Sequence, residues 1–233
     1  MPEHNCYCEV FAGGASVFWL KSPSKIEILN DINQELINLL RVVQYHPEEF
    51  IRSFQFLVKS RAEFYRQLML PPEALTDIQK AVRTFYIVKN CYSGRYKNPS
   101  FSASADGRKQ FSRRSIEEIV FACHERLETV ILECLPYQEC IQKYDRPSTL
   151  FYLDPPYFGC EDYYGDEWKR EDFYTLASLL KDIKGKFLLS INDTPETREI
   201  FKDFEHVQVK TRYSAGAWSG KNKLVSELIF KNF

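Results

Sequence analysis

Glycine is scarce in this 233-residue chain, at 9 residues, and neither sign of charge is in excess. Lys and Arg number 31 against 32 for Asp and Glu, a net charge of -1. That balance excludes a uniformly basic coat for nucleic acid but leaves room for local basic patches. The seven cysteines are an odd count, with no Cys-x-x-Cys pair and no His pair beside them. Neither a zinc knuckle nor a disulfide framework is expected, and free thiols in a reducing cytoplasm are the simpler reading. No run of about 18 apolar residues is present, so no membrane association is expected. The N-terminus lacks a basic-then-apolar leader, and there is no internal repeat. Hydrophobic residues at 44% and charged residues at 27% exclude a disordered chain. At roughly 150 residues per domain, the length allows one large domain, or a medium one with an insert.

What is present reads as α/β. Cys6 to Phe11 is a short β-prone run that enters Gly13-Gly14, and Ala15 to Leu20 opens a short helix. Lys25 to Leu29 alternates as a second strand and stops at Asn30-Asp31. Strand, glycine turn, helix and strand with a terminal acid make half of a doubly wound nucleotide site. Helical spacing runs from about Asn33 to Leu70 with a break at His46-Pro47, then resumes from Leu75 to Val88. Periodicity fails between Asn90 and Arg114, and Ser115 is expected to cap the next helix. Thr149 to Asp154 is a continuous apolar run ending in an acid, as in a buried parallel strand. A helix over Arg170–Ile183, a strand over Lys186–Ile191 and a closing strand pair, Val207–Tyr213 and Leu224–Lys231, complete the pattern.

Asp154-Pro155-Pro156-Tyr157 is the sharpest feature. From average residue usage such a tetrapeptide arises by chance in roughly one chain in a thousand. It places an acid where open α/β sheets bind ligands, followed by a rigid turn and a ring. The Asp154 carboxylate and the Pro155 carbonyl are suited to accept hydrogen bonds from one NH2 group, and Tyr157 to stack on a flat ring. A Pro-Pro strand stop with Asp154 as a turn residue is the structural alternative.

Glu9-Val-Phe-Ala-Gly-Gly-Ala15, the acid Asp31 and Asp154-Pro-Pro-Tyr157, in this order, resemble the α-group DNA adenine-N6 methyltransferases, over essentially the whole chain. The resemblance implies a Rossmann-like core over residues 1–34 and 134–233 and a helical target-recognition insert over 35–133. It implies S-adenosylmethionine as cosubstrate, no metal, and duplex DNA with a flipped-out target base, hence a cytoplasmic, DNA-associated enzyme. Phe11, Gly13 and Gly14 would shape the cosubstrate pocket, and Asp31 would hold the ribose; a helix N-cap is the other reading of Asp31. Tyr137, in Cys134-Leu-Pro-Tyr, would offer a ring to the cosubstrate adenine, although Pro136 stands where the family often has a carboxylate; ordinary core packing is the alternative for Tyr137. Asp154 would border the cosubstrate as well as the target amine. The Gly-Gly-Lys segment that usually precedes the first strand is expected to be missing, which keeps open a catalytically silent DNA-binding relative.

Two segments hide beneath the neutral total. From Cys91 to Arg114 six bases (Arg95, Lys97, Arg108, Lys109, Arg113, Arg114) face one acid, Asp106. From Gln208 to Phe233 five bases face Glu227. Such patches suit phosphate contacts, with Arg95, Lys97 and Arg108 the candidates and Tyr92, Tyr96 and Phe101 placed to stack. N4-cytosine methylation uses the same acceptor chemistry and stays open. A nicotinamide oxidoreductase would leave Asp-Pro-Pro-Tyr unexplained and lacks the full Gly-x-Gly-x-x-Gly pattern.

Overall fold

A computed structural model describes residues 1–91, 99–102, 113–160, 168–212 and 224–233, without the side chains of 113, 114, 211, 212 and 224. Strands β1 (Cys6–Glu9) and β4 (Thr149–Leu153) lie side by side and parallel, with Cys8 opposite Phe151 and Glu9 opposite Tyr152. Successive residues of a strand face opposite sides of the sheet. Tyr7 and Cys8, and Leu150 and Phe151, are all buried, so both faces here are covered. That explains the unbroken apolar run.

β2 (Ile26–Asn30) pairs parallel with β1, and β5 (Lys186–Asn192) pairs parallel with β4. β7 (Leu224–Lys231) is antiparallel to β5, and β6 (Glu205–Arg212) is antiparallel to β7. With the short edge strand β3 (Ile131–Glu133), the order is β3-β2-β1-β4-β5-β7-β6. This is the doubly wound order with one antiparallel strand inserted before the last. The order reverses between β1 and β4, so their carboxyl ends border the crevice where such sheets take ligands.

The chain divides into two compact units, Met1–Ile32 with Glu133–Phe233, and Asn33–Leu132. The first holds α1 (Ser16–Leu20), α7 (Tyr137–Tyr144), α8 (Arg170–Asp182) and α9 (Pro195–Ile200). Its core joins Phe151, Phe187, Leu189 and Phe230 of the sheet to Phe173, Leu176 and Leu180 of α8. The second unit is helical: α2 (Gln34–Tyr45), α3 (Pro47–Phe54), α4 (Arg61–Met69), α5 (Asp77–Asn90) and α6 (Arg113–Leu127). Phe85 meets Phe50 and Phe54 edge-on at 5.5 and 5.1 Å. The buried Arg83 bonds Glu35, which also accepts from the Thr84 hydroxyl.

Several elements differ from the sequence expectation. Helical spacing continues through Phe50, Phe54 and Leu57, yet α3 ends at Phe54 and α4 starts afresh at Arg61, capped by Ser60, whose hydroxyl accepts from Glu63 N. Ser115 is not a cap. It is the third residue of α6, which extends back to Arg113, and arginine is a better helix former than serine. β3, α7 and α9 are too short to show a period. α2 is capped by Asn33, whose side chain accepts from Glu35 N and Leu36 N, so Asp31 is not its cap. All seven cysteines are free thiols.

Gly185, at the entry to β5, has no room for a side chain. An added Cβ would come within 2.9 Å of the Thr149 carbonyl oxygen and 3.1 Å of both Arg146 O and the Phe151 ring. Two of these neighbours are backbone and cannot swing away. Gly185→Ala should therefore cost about 1–3 kcal/mol, as overpacking does, measured by urea denaturation.

Candidate active site

The site is built where the parallel strands end. Glu9 closes β1 with its carboxylate turned inward, accepting from the Tyr7 hydroxyl at 2.7 Å and from Phe18 N at 2.6 Å. The chain then turns: Gly13 takes φ +48°, Ala15 takes φ +51°, and Ala12 N bonds the Asn30 carbonyl at 2.8 Å. Left-handed backbone is costly for alanine, so the turn holds Ala15 against its preference. Gly13 N donates to Asp31 Oδ2 at 2.7 Å, joining the glycine turn to the acid that follows β2. Among the described residues, chain neighbours aside, no atom lies within 4 Å of the Cβ position of Gly13, and only Ser16 Oγ, at 3.9 Å, lies near that of Gly14. The turn fronts open space.

Buried Asn30, the last residue of β2, fixes the next wall. Its amide donates to Val10 O at 2.9 Å and Leu135 O at 3.1 Å, while its oxygen accepts from Leu135 N at 2.9 Å. Phe11 directly follows Val10, Tyr137 follows Leu135 across Pro136, and the two rings meet with centroids 5.7 Å apart. Trp168 stands 5.3 Å from each of them, edge-on to Phe11. The Tyr137 hydroxyl donates to Asp172 Oδ1 at 3.0 Å. The Trp168 indole N–H is buried and has no hydrogen-bond partner among the described residues. A buried donor left unpaired is uncommon and often marks a ligand position.

The other wall is Asp154-Pro-Pro-Tyr157, which leaves the end of β4. Asn192, the last residue of β5, clasps it: Phe158 N donates to Asn192 Oδ1 and Asn192 Nδ2 donates to Phe158 O, both at 2.9 Å. The Tyr157 hydroxyl donates to Glu227 Oε1 at 2.9 Å. Among the described residues no hydrogen bond uses the Asp154 carboxylate or the Pro155 carbonyl, so both acceptors are unspent.

Acids crowd this edge. Asp154 keeps solvent access, but the protein packed around its carboxylate desolvates it, and the Glu227 charge adds repulsion; together they push its pKa up to about 6. Solvent access moderates the first effect, and the upward direction follows from both. Burial also lifts Glu9 to about 7, against the hydrogen bonds from Tyr7 and Phe18 that favour its ionised form. The buried hydroxyl of Tyr152 is raised as well, by desolvation first and then by Asp154 and Glu9.

The structure thus brings Phe11, Gly13, Gly14 and Asp31 to one turn and sets the Tyr137 ring against Phe11. Asp154, Pro155 and Tyr157 lie together at the end of β4. Arg95, Lys97 and Arg108, with Tyr92 and Tyr96, lie outside the described residues. Phe101 does not present a free ring for stacking: it packs on Phe64 at 5.5 Å with the Arg61 guanidinium over its face, because an apolar ring gains more from burial in the helical unit. Trp168 was not singled out by sequence, and Asn30, Asn192 and Glu227 were read there as parts of strand ends and of the closing hairpin, without a role in the site. An asparagine closing each of two strands is the only signal that could have found the clasps. A depression of about 300 Å3 beside Arg41, His46 and Asp77 lies elsewhere, with Arg41 already bonded to Asp77 and Asn38. No cluster of three metal-ligating side chains occurs among the described residues, and no described helix is long and apolar enough to cross a membrane.

An open doubly wound sheet whose carboxyl edge carries a glycine turn, a strand-end acid and a ring cluster defines a Rossmann-like α/β protein. The family model of the D12 class N6 adenine-specific DNA methyltransferases matches residues 1–215. The chain belongs to that family, and is a DNA adenine methyltransferase. It is 26% identical over 254 residues to the type II methyltransferase M1.LlaDCHI of Lactococcus lactis subsp. cremoris, covering 100% of this chain and 88% of the relative. It is 27% identical over 241 residues to the type II methyltransferase M.CviBI of Paramecium bursaria Chlorella virus NC1A, covering 97% and 89%. With the retron Ec67 DNA adenine methylase of Escherichia coli, identity is 28% over 243 residues, covering 98% and 83%.

The raised pKa of Asp154 has a consequence for stability. A carboxyl whose folded pKa exceeds its unfolded value destabilises the fold above the folded pKa, and the penalty fades as pH falls from about 6 towards 4. Asp154→Asn removes the charge and keeps the shape. The variant should melt at a higher temperature than the wild type at pH 8, with the gap closing by pH 4, as followed by circular dichroism.

Proposed function

We propose that the chain transfers a methyl group from S-adenosylmethionine to the N6 amine of an adenine flipped out of duplex DNA. The observation that carries this reading is Asp154 at the end of β4, beside the point where strand order reverses, with its carboxylate and the Pro155 carbonyl unspent. Adenine N6 is a poor nucleophile because its lone pair is delocalised into the ring. Asp154 and Pro155 accept its two N–H hydrogens, which favours a pyramidal nitrogen with its lone pair aimed at the methyl group. The N–C bond forms as the C–S bond breaks, the sulfur keeps the electron pair, and one amine proton leaves towards Asp154 and then water. No covalent enzyme intermediate is needed, which agrees with burial holding the thiols of Cys6, Cys8 and Cys123 above their ordinary pKa.

The residues present fit the cosubstrate. Its nucleoside needs flat apolar walls, a donor for a ring nitrogen and an acceptor for the ribose hydroxyls. Phe11, Tyr137 and Trp168 supply the walls, the unpaired Trp168 N–H supplies the donor, and Asp31 supplies the acceptor. A carboxylate has about four acceptor sites, and Gly13 N takes one of those of Asp31. Gly13 and Gly14 leave the space open. The electrophile is the methyl on the cosubstrate's sulfonium. Because the target amine lies inside the duplex, the base must leave the stack, and the Tyr157 ring receives it. The unit Asn33–Leu132 is read as the DNA-recognising part, with Arg95, Lys97 and Arg108 contacting phosphates. The adenine specificity of the family sets N4-cytosine methylation aside.

Asp154→Ala should abolish methylation of plasmid DNA from an adenine-methylation-deficient host, with N6-methyladenine as the product that mass spectrometry finds for the wild type. Only the ionised carboxylate accepts both ways, so the wild-type single-turnover rate should fall as pH drops through about 6. Finding N4-methylcytosine alone, or an unimpaired Asp154→Ala enzyme, would overturn the assignment.

Replacing Arg95 and Lys97 by glutamine should lower the slope of log affinity against log salt by about 2, at roughly 0.9 for each phosphate no longer neutralised. An unchanged slope, in filter-binding titrations from low to moderate salt, would remove both residues from the phosphate interface.

A further inference from the structure

One rung of the sheet holds two neighbouring residues of the Asp-Pro-Pro-Tyr turn. Asn192 on β5 and Glu227 on β7 are directly opposed across their antiparallel pairing. Asn192 takes the backbone N–H and carbonyl of Phe158, and Glu227 takes the hydroxyl of Tyr157 at 2.9 Å. The backbone of the turn and the ring that leaves it are thus gripped by facing residues of one ladder. We propose that Glu227 is a positioning residue of the methyl transfer, its carboxylate fixing the Tyr157 ring beside Asp154 in the plane that receives the target base.

The inference rests on the reading of Asp154 and Tyr157 given above. A tyrosine ring swings about two side-chain bonds, and one hydrogen bond at its far end to a group in a sheet ladder removes most of that freedom. The acceptor is charged, so the bond is of the stronger kind. Glu227 also acts on Asp154 through its charge, as one of the two causes that raise the carboxyl. Glu227 of β7 is the charged group that raises Asp154, and the Asp154 charge in turn raises Glu9 of β1 and Tyr152 of β4. Glu9 is tied to Tyr7 and Phe18, so Glu227 is the member of this set that touches the aromatic ring.

The two effects separate by substitution. Glu227→Gln keeps an acceptor for the Tyr157 hydroxyl and removes the charge. Its single-turnover rate on plasmid DNA from an adenine-methylation-deficient host should stay within about threefold of wild type at pH 8, while the acid limb moves to lower pH by roughly half a unit or more. Glu227→Leu and Tyr157→Phe should each slow the plateau rate by on the order of tenfold, and the double variant should be no slower than either. A merely structural role would slow the enzyme without moving the limb. An unmoved limb in Glu227→Gln, or multiplied losses in the double variant, overturns the proposal.

A urea-denaturation cycle on Tyr157→Phe and Glu227→Leu reads the same hydrogen bond without activity. A coupling between the two sites is expected, and additive losses of stability count against the proposal. The underlying reading fails separately: it falls if Asp154→Ala still methylates, whatever the Glu227 variants do.

Discussion

At the carboxyl edge of a parallel sheet the backbone leaves its ladder, and every freed amide and carbonyl near the core must find a new partner. Two asparagine side chains meet that demand. Asn30 at the end of β2 takes both polar groups of Leu135, and Asn192 at the end of β5 takes both polar groups of Phe158. A side-chain amide donates and accepts at once through separate atoms spaced like a peptide group's, which is why it imitates a missing strand rung. The first clasp sets the segment leading to Tyr137 against Val10 and so determines where the rings of Phe11 and Tyr137 meet. The second anchors the turn that carries Asp154 and Tyr157. The functional edge is rigid because these two amides are buried or half-buried among groups that would otherwise be unsatisfied.

Rigidity of this kind lets the site hold a charge that the fold itself disfavours. Asp154 stands near Glu227 and Glu9, and each added carboxylate makes ionisation of the others harder. A pKa of about 6 still leaves Asp154 ionised at neutral pH, with a stronger affinity for protons than a surface aspartate has. For an acceptor of amine hydrogens that is the useful compromise, since acceptor strength rises with basicity. The accompanying loss of stability is tolerated because the core beneath, from Phe151 to Phe187 and Phe230, is fully buried.

How much of this was legible in the sequence depends on the length scale of each signal. Asp154-Pro-Pro-Tyr157 is local and chemically odd, and the glycine turn followed by Asp31 is a local pattern too, so both stood out. The strands β1, β2, β4 and β5 were legible as short β-prone runs, Thr149–Asp154 being continuously apolar because both of its faces are covered, but their order in the sheet was not. The β6–β7 pair was visible through its turn-forming connection, but its insertion beside β5 was not, because pairing is set by contacts distant in sequence. The partnership of Tyr157 with Glu227 spans 70 residues and has no local mark at all. Trp168 was silent for another reason: its significance is an absence, an indole N–H without a partner, and only a packed structure shows what a donor lacks. The break between α3 and α4 was hidden because Leu57 happens to continue the spacing of Phe50 and Phe54 across it.

The near-neutral total of the chain is best understood as two opposed fields. Asp31, Asp154 and Glu227 gather acids at the carboxyl edge of the sheet, where the proposed reading brings the target base, and an acidic edge repels the phosphates on either side of that base. Binding a polyanion there needs positive charge elsewhere, and the sequence places it in two short stretches, six bases against one acid and five against one. In the proposed reaction the acids tune the amine acceptor, and the bases offset the repulsion that those acids create. Counterion release makes the second contribution fall with rising salt, while the acids, packed against protein, are screened much less. Methylation should therefore lose its DNA before it loses its chemistry as ionic strength rises.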